Sequence, residues 1–193
     1  MRRCYRRTLA ICATIACAAP GASRSHAASP TAYHQLQRHP HRSARHRIQV
    51  DGHAASAVDQ LAGQMLQLLN TDRADAGLAP LTLDRQLTDV ATSHSHDMAA
   101  RHYFAHTAPG DDNPFERFAR KGIRYNDAGE NIGQAGGRPL SQEVSTINAT
   151  MMAEPLDGAS HHDVIVDPGL HRVGVGICVE PGNTIYLTED FTG

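Results

Sequence analysis

The stretch EPLDGASHHDVIVDPGLHRVGVGICV, residues 154–179, decides how the rest of the chain is read. A carboxylate at Glu154 is followed by Gly158, by the pair His161-His162 and by a turn at Asp167-Pro168-Gly169. Beyond the turn the residues alternate as a strand does. Val173, Val175, Ile177 and Val179 fall on one side, Gly174, Gly176 and Cys178 on the other. Groups suited to metal and proton chemistry thus stand beside a strand that must lie inside the fold, where a site is held still. Their partners must come from elsewhere in the chain.

Toward the C-terminus a second strand is expected over 184–191, joined to the first (172–179) through Pro181-Gly182-Asn183 as a hairpin. Toward the N-terminus, Ser141 is placed to cap a helix over about 142–153, preceded by a loop at 134–139 and by Gly129-Glu130-Asn131-Ile132-Gly133. A turn at Gly122, a short helical segment around Phe115 and Phe118 and a polar loop at 108–113 come before that. Asp84 caps a further helix, on which Leu87, Ala91, His94 and Met98 share one face. The folded body begins near Val58 with Leu61, Met65, Leu68 and Leu69 at helical spacing, and this first helix ends around Gly77. Helices ahead of a hairpin, without alternating β-α units, predict an α+β fold with an antiparallel sheet.

The 193 residues suit one domain with extra segments. Residues 1–57 carry nine Arg and one Asp, a net of +8; residues 58–193 carry nine Lys and Arg against nineteen Asp and Glu, a net of −10. The near-neutral total therefore hides a basic arm on an acidic body. Such a body is a poor surface for nucleic acid, and its field draws cations or basic partners instead. Cys4, Cys12 and Cys17 all lie in the first twenty residues and only Cys178 in the body, so no disulfide framework holds the domain.

Residues 1–28 read as an export signal: basic MRRCYRR, an apolar run over 8–19 and small-residue cleavage sites near Ala18 or Ala27. That run is short of the ~20 residues a membrane span needs. Cys17 sits in a faint lipoprotein-like context that lacks the usual leucine. Residues 29–57, rich in His, Arg, Pro, Ser and Gln, read as a disordered basic linker; the six histidines from His26 to His53, five of them in the linker, have no regular spacing.

Five motifs in fixed order then give the chain a family likeness. NTDRADAGLAPLTLD (70–84), ATSHSHDMAARHYFAHTAPGD (91–111), GENIG (129–133), HHDVIVDPGLHRVGVGICV (161–179) and YLTEDF (186–191) together resemble the CAP superfamily of cysteine-rich secretory proteins, antigen 5 and pathogenesis-related proteins, in its cysteine-poor bacterial branch. The resemblance implies an exported α-β-α sandwich over 58–193, with a central antiparallel sheet between helical layers. It also implies a cleft of two His and two Glu, which fall on His106, Glu130, Glu154 and His161. In family members seen with metal, the histidines are the ligands and zinc the usual ion, while others bind lipids in neighbouring grooves. Three features depart from the pattern: Met151 stands where Trp is common, 155–160 is longer than usual, and either His161 or His162 is open as the inward residue.

Two imidazoles and two carboxylates suit a borderline ion such as zinc. The alternative is four polar residues that hold loops together by hydrogen bonds. The spacing lacks the HExxH of a metalloprotease. Zinc on His106 and His161 is thus an expectation, not an obligatory cofactor, with Glu130 and Glu154 behind the ligands. The leading reading is a secreted or envelope-located monomeric binding module for a metal ion, and for a small molecule, lipid or cell-envelope component. The alternative is a metal-dependent hydrolase, with Glu130 or Glu154 as base to a zinc-bound water. His94 is expected as a hydrogen-bonded core histidine, His96 and His102 as surface residues and Cys178 as an inert buried thiol. Ser160-His161-Asp163 is not expected to form a triad, because residues so close in sequence rarely meet with that geometry.

Overall fold

The computed structural model describes residues 6–9, 13–14, 47–108, 110 and 112–193, with side chains from Ala57 onward. Apart from the backbone of two short segments, the export signal, Cys17 and the linker up to residue 46 lie outside the described residues. In chain order the elements are β1 (Arg6–Leu9), β2 (Ala13–Thr14), α1 (Arg47–Asp75), β3 (Thr82–Leu83), α2 (Arg85–Arg101), α3 (Pro114–Arg120), β4 (Asp127–Ala135), α4 (Leu140–Met152), α5 (His161–Ile165), β5 (Arg172–Glu180) and β6 (Thr184–Thr192).

The hairpin forms as its turn residues require. β5 and β6 pair antiparallel from Arg172–Thr192 to Glu180–Thr184. Gly182 and Asn183 turn the chain at φ +85° and +61°, a region open to few other residues. β4 pairs antiparallel with the other edge of β6, so the three long strands make the expected antiparallel sheet. Short parallel additions make it mixed: β3 lies beside β5, while β1 and β2 lie beside β4.

Helices cover both faces. Val173, Val175, Ile177, Leu187 and Phe191 pack with Leu61, Met65 and Leu69 of α1, Val144, Ile147 and Met151 of α4 and Val164 and Ile165 of α5. On the opposite face α2 lies directly on β5. A Cβ at Gly174 would fall 2.1 Å from the Leu87 carbonyl carbon, and one at Gly176 2.1 Å from that of Ala91. The alternation of apolar residues and glycines in β5 therefore encodes two different helix distances. Leu87, Ala91, His94 and Met98 are all buried, as their spacing predicts. Met151, at the position where Trp is common, is fully buried and reaches toward Gly133.

Three local expectations are corrected, and one short helix was not foreseen. α1 starts at Arg47 rather than near Val58, reaching into the stretch read as linker, where Ala54, Ala55 and Ala57 favour helix. Residues 127–135 form a nine-residue strand, so the chain expected to loop from Gln134 is still paired to β6 through Ala135. Ser141 is not the cap of α4. That position is Pro139, and the buried Glu143 accepts the Arg138 amide at 2.7 Å as the carboxylate of a capping box would. Finally, Ser160 caps a five-residue helix, α5, that carries His161 and His162.

The close approach of α2 to β5 gives a paired prediction. Gly176→Ala forces a methyl into the α2 backbone and lowers stability by about 3 kcal/mol or more. Gly63→Ala, with nothing within 4 Å of its added Cβ, raises it by roughly 0.5–1 kcal/mol. Urea denaturation of the two variants against the parent measures both.

Candidate functional site

The C-terminus of α2 aims the first half of the site. Asp84 caps the helix through the amides of Gln86 and Leu87, at 2.8 and 3.2 Å. His102 ends it in the left-handed region at φ +54°. The chain then turns over the buried His94, whose Nε2 donates to the Ala105 carbonyl at 3.1 Å. A carbonyl can only accept, so Nε2 carries the proton. Burial lowers the His94 pKa to about 4 and keeps the ring neutral. Tyr103 donates its hydroxyl to Asp97 at 2.7 Å and closes the other side of this turn.

These bonds place His106 against β4. Its Nδ1 lies 2.8 Å from Glu130 Oε1. The second Glu130 oxygen accepts from Arg117 of α3, which also donates to the carbonyls of His106 at 2.9 Å and Asp112 at 3.0 Å. α3 is fixed for this task by Pro114 and by the reciprocal capping bonds of Asn113 and Glu116. Burial alone would raise the Glu130 pKa. The hydrogen bond from His106 and the charge of Arg117 overcome it and hold the carboxyl below its ordinary range.

The second half comes from the other helical layer. Glu154 stands just beyond α4, and both its oxygens lie 2.8 Å from His161 Nδ1. One of them also accepts the His161 amide at 2.8 Å. His161 is fully buried, while His162 is half-buried and its ring bonds the Glu154 carbonyl at 3.1 Å. His161 is therefore the inward residue. Its Nε2 is buried and has no hydrogen-bond partner among the described residues. Burial lowers its pKa against the pull of Glu154, and the nearby His106 lowers it further. The four residues thus form two His–Glu pairs, close enough for one imidazole to disfavour charge on the other.

Sequence reasoning missed the supports. Asn131 donates Nδ2 to the His161 carbonyl at 3.3 Å and to Glu189 at 3.2 Å, so it ties β4, α5 and β6 together. Glu189 and Asp190 are both fully buried. Burial pushes the Glu189 pKa to about 8. Burial and the Glu130 charge opposite it in the sheet push Asp190 well above the carboxylate range. Two consecutive acids in a strand paired on both edges were the available signal, because successive side chains enter opposite layers.

Other candidates take structural roles. Ser160 and Asp163 form a capping box rather than a triad. Cys178 is buried against Met98, Ile132 and Tyr186, and burial raises its pKa. His96 and His102 are exposed. A cavity of about 210 Å³ on the side of Arg117 is lined by Ser93, His94, Asp97, Asp112, Arg117 and Arg120. Among the described residues no three of His, Cys, Asp and Glu are grouped to hold a metal ion.

Residues 66–191 match the family model for the cysteine-rich secretory protein (CAP) family. The chain belongs to the CAP family. The YkwD protein of Bacillus subtilis (strain 168) is 35% identical over 140 residues, covering 72% of this chain and 50% of that protein. An extracellular SCP-domain protein of Bacillus anthracis superposes with a TM-score of 0.56 at 28% identity, covering 69% of this chain and 40% of that one. The CAP chain thus spans about half or less of these relatives. The fold is also shared with NaASP2, a structure determined with Zn2+, at a TM-score of 0.50 and 12% identity over 67% of this chain and 77% of that one.

The buried acids make the stability of the CAP domain pH-dependent. Folding raises the Glu189 pKa from 4.5 to about 8, so its contribution is fully present below about pH 4.5 and is lost as pH climbs toward 8. Folding lowers the His94 pKa, so that contribution runs the other way and is lost as pH falls from about 6.5 to about 4. Glu189→Gln keeps an acceptor for Asn131 but cannot ionise. It should remove a stability decline on the order of 3 kcal/mol between pH 5 and 8, read by urea denaturation across that range.

Proposed function

We propose that this CAP domain is an extracellular binding module in which His106 and His161 hold a divalent ion, zinc first, with Glu130 and Glu154 behind them. The observation that carries this reading is the buried Nε2 of His161, which lacks a partner among the described residues while Nδ1 is fixed by Glu154. A carboxylate on the far nitrogen sets the tautomer and aims the near one, as in metal-binding histidines generally. His106 is held in the same way through Glu130. Lowered basicity at His161 favours the neutral ring that a metal requires.

Two protein ligands leave coordination positions open, which suits an exchangeable ion better than a structural one. A zinc ion bound there would offer a Lewis-acidic point to an oxygen of a further ligand. The NaASP2 structure with Zn2+ supports the choice of ion. Export is supported by the basic and apolar leader and by the extracellular description of the Bacillus anthracis relative. Among the described residues no helix is long and apolar enough to cross a membrane.

Calorimetry with zinc on the full chain at pH 7.5 tests the site. The histidines of residues 26–53 are present in every variant, so the difference between isotherms is what counts. One binding event should vanish in His106→Ala and in His161→Ala, weaken roughly tenfold or more in Glu154→Gln, and weaken as the solution is acidified, because a metal binds only deprotonated ligands. Isotherms of wild type and His161→Ala that superimpose would refute the reading.

A further inference from the structure

Two cavities meet between α2 and α3. The cavity of about 210 Å³ beside Arg117 shares Ser93, Arg117 and Arg120 with a second of about 230 Å³. Arg117, Arg120 and Lys121 stand at i, i+3 and i+4, so α3 and its cap turn one face to this groove. Its two ends differ in charge. Asp97 and Asp112 line the first cavity, whereas the second has the three cations and, among the described residues, no lining carboxylate. A body with a net of −10 thus gathers here three of the nine Lys and Arg of residues 58–193. Cations in the last turn of a helix suit its dipole, but that does not explain a buried one with a donor to spare. The Arg117 side chain is only 10% exposed. Its two terminal nitrogens hold Glu130 and the carbonyls of His106 and Asp112, while Nε is buried with no partner among the described residues. A donor left in that state is costly, and an oxygen seated on Arg117 would satisfy it.

We propose that the Lys121 end of this groove seats the phosphoryl group of a monoester, with Arg117 as its floor and Arg120 and Lys121 as its rim. Three cations on one small cavity match a group that carries nearly two charges and three acceptor oxygens better than a carboxylate with one charge and two. The rim cations are held loosely at present. Arg120 reaches Asp112, and Lys121 lies 3.8 Å from Asp89, with both cations in solvent. Exposed pairs of this kind contribute little and give way readily to a dianion. Asp97 and Asp112 repel a second anion from the far end and so set which way the ligand lies. The inference goes beyond the metal reading and does not rest on it.

Lys121 is the only lysine of the chain, so protein made with lysine labelled by 13C at Cε gives one lysine resonance, at the seat itself. The basic arm contains none and does not confuse the readout. The full chain, stripped of metal on a chelating resin, is titrated at pH 7.5 with inorganic phosphate while chloride keeps the ionic strength constant. The Lys121 signal should shift saturably, and acetate should bind at least fivefold more weakly. Arg117 is left unaltered because it also holds Glu130. Arg120→Ser should weaken phosphate at least fivefold. Arg124→Ser removes the same charge from an exposed side chain that lines neither cavity, and should change the affinity less than twofold. A shift that never saturates, acetate binding as tightly as phosphate, or equal effects of the two variants overturns the proposal. Glycerol 3-phosphate in solution and phosphatidic acid in vesicles then separate a soluble monoester from a lipid head group as the source, and a saturable shift with either upholds the seat.

Discussion

The contact on which the molecule depends is the one between two glycines and a helix backbone. At Gly174 and Gly176 the missing side chains let α2 lie on β5 at a distance where a methyl group would collide with main-chain atoms. That proximity fixes the height and tilt of α2, and hence the point where His102 ends it. The following turn is short and held at both ends by side chains of the helix, His94 and Asp97. His106 therefore has little freedom once α2 is seated. A backbone contact made by residues with no side chains decides where an imidazole goes.

The same economy governs charge. Three carboxyls lie fully buried within two adjacent strands, Glu130 on β4 and Glu189 and Asp190 on β6. They cannot all ionise in so little space. Glu130 has a guanidinium and an imidazole beside it and takes the charge. Asp190, opposite it in the sheet, is left to hold a proton. Glu189, in the other layer, has only an amide from Asn131 and also stays protonated at neutral pH. Arg117 is thus the residue that selects which acid is the anion. Its other donors grip the carbonyls of His106 and Asp112, so the choice of charge and the position of the loop are set together.

Much of this was legible before any coordinates. The buried face of α2, its Asp84 cap, the Pro-Gly-Asn hairpin turn and the two faces of β5 each follow from a local rule that tertiary packing left intact. The ordered motifs placed His106, Glu130, Glu154 and His161 in one cleft; the structure sets His106 against Glu130 and His161 against Glu154, a pairing the sequence did not foretell. β4 was harder. Its residues Gly129, Glu130 and Asn131 show no apolar alternation, because both faces are buried and the inward positions are filled by polar groups with remote partners. The start of α1 and the Glu143 cap were missed for the opposite reason. The helix outruns its apolar pattern, and the cap is a carboxylate buried in the first turn instead of a serine before it.

Placement of the two His–Glu pairs follows from which layer each belongs to. The first is delivered by the α2–α3 layer and the second by the α4–α5 layer, with β4 between them. Asn131 and Glu130 are neighbours on that strand and send their side chains to opposite layers, one to the His161 carbonyl and the other to His106. A single strand therefore sets the separation of the pairs, and no helix has to reach across the sheet. Movement of either layer alone changes only one pair. Displacement of β4 changes both, since Glu130 and Asn131 travel with it.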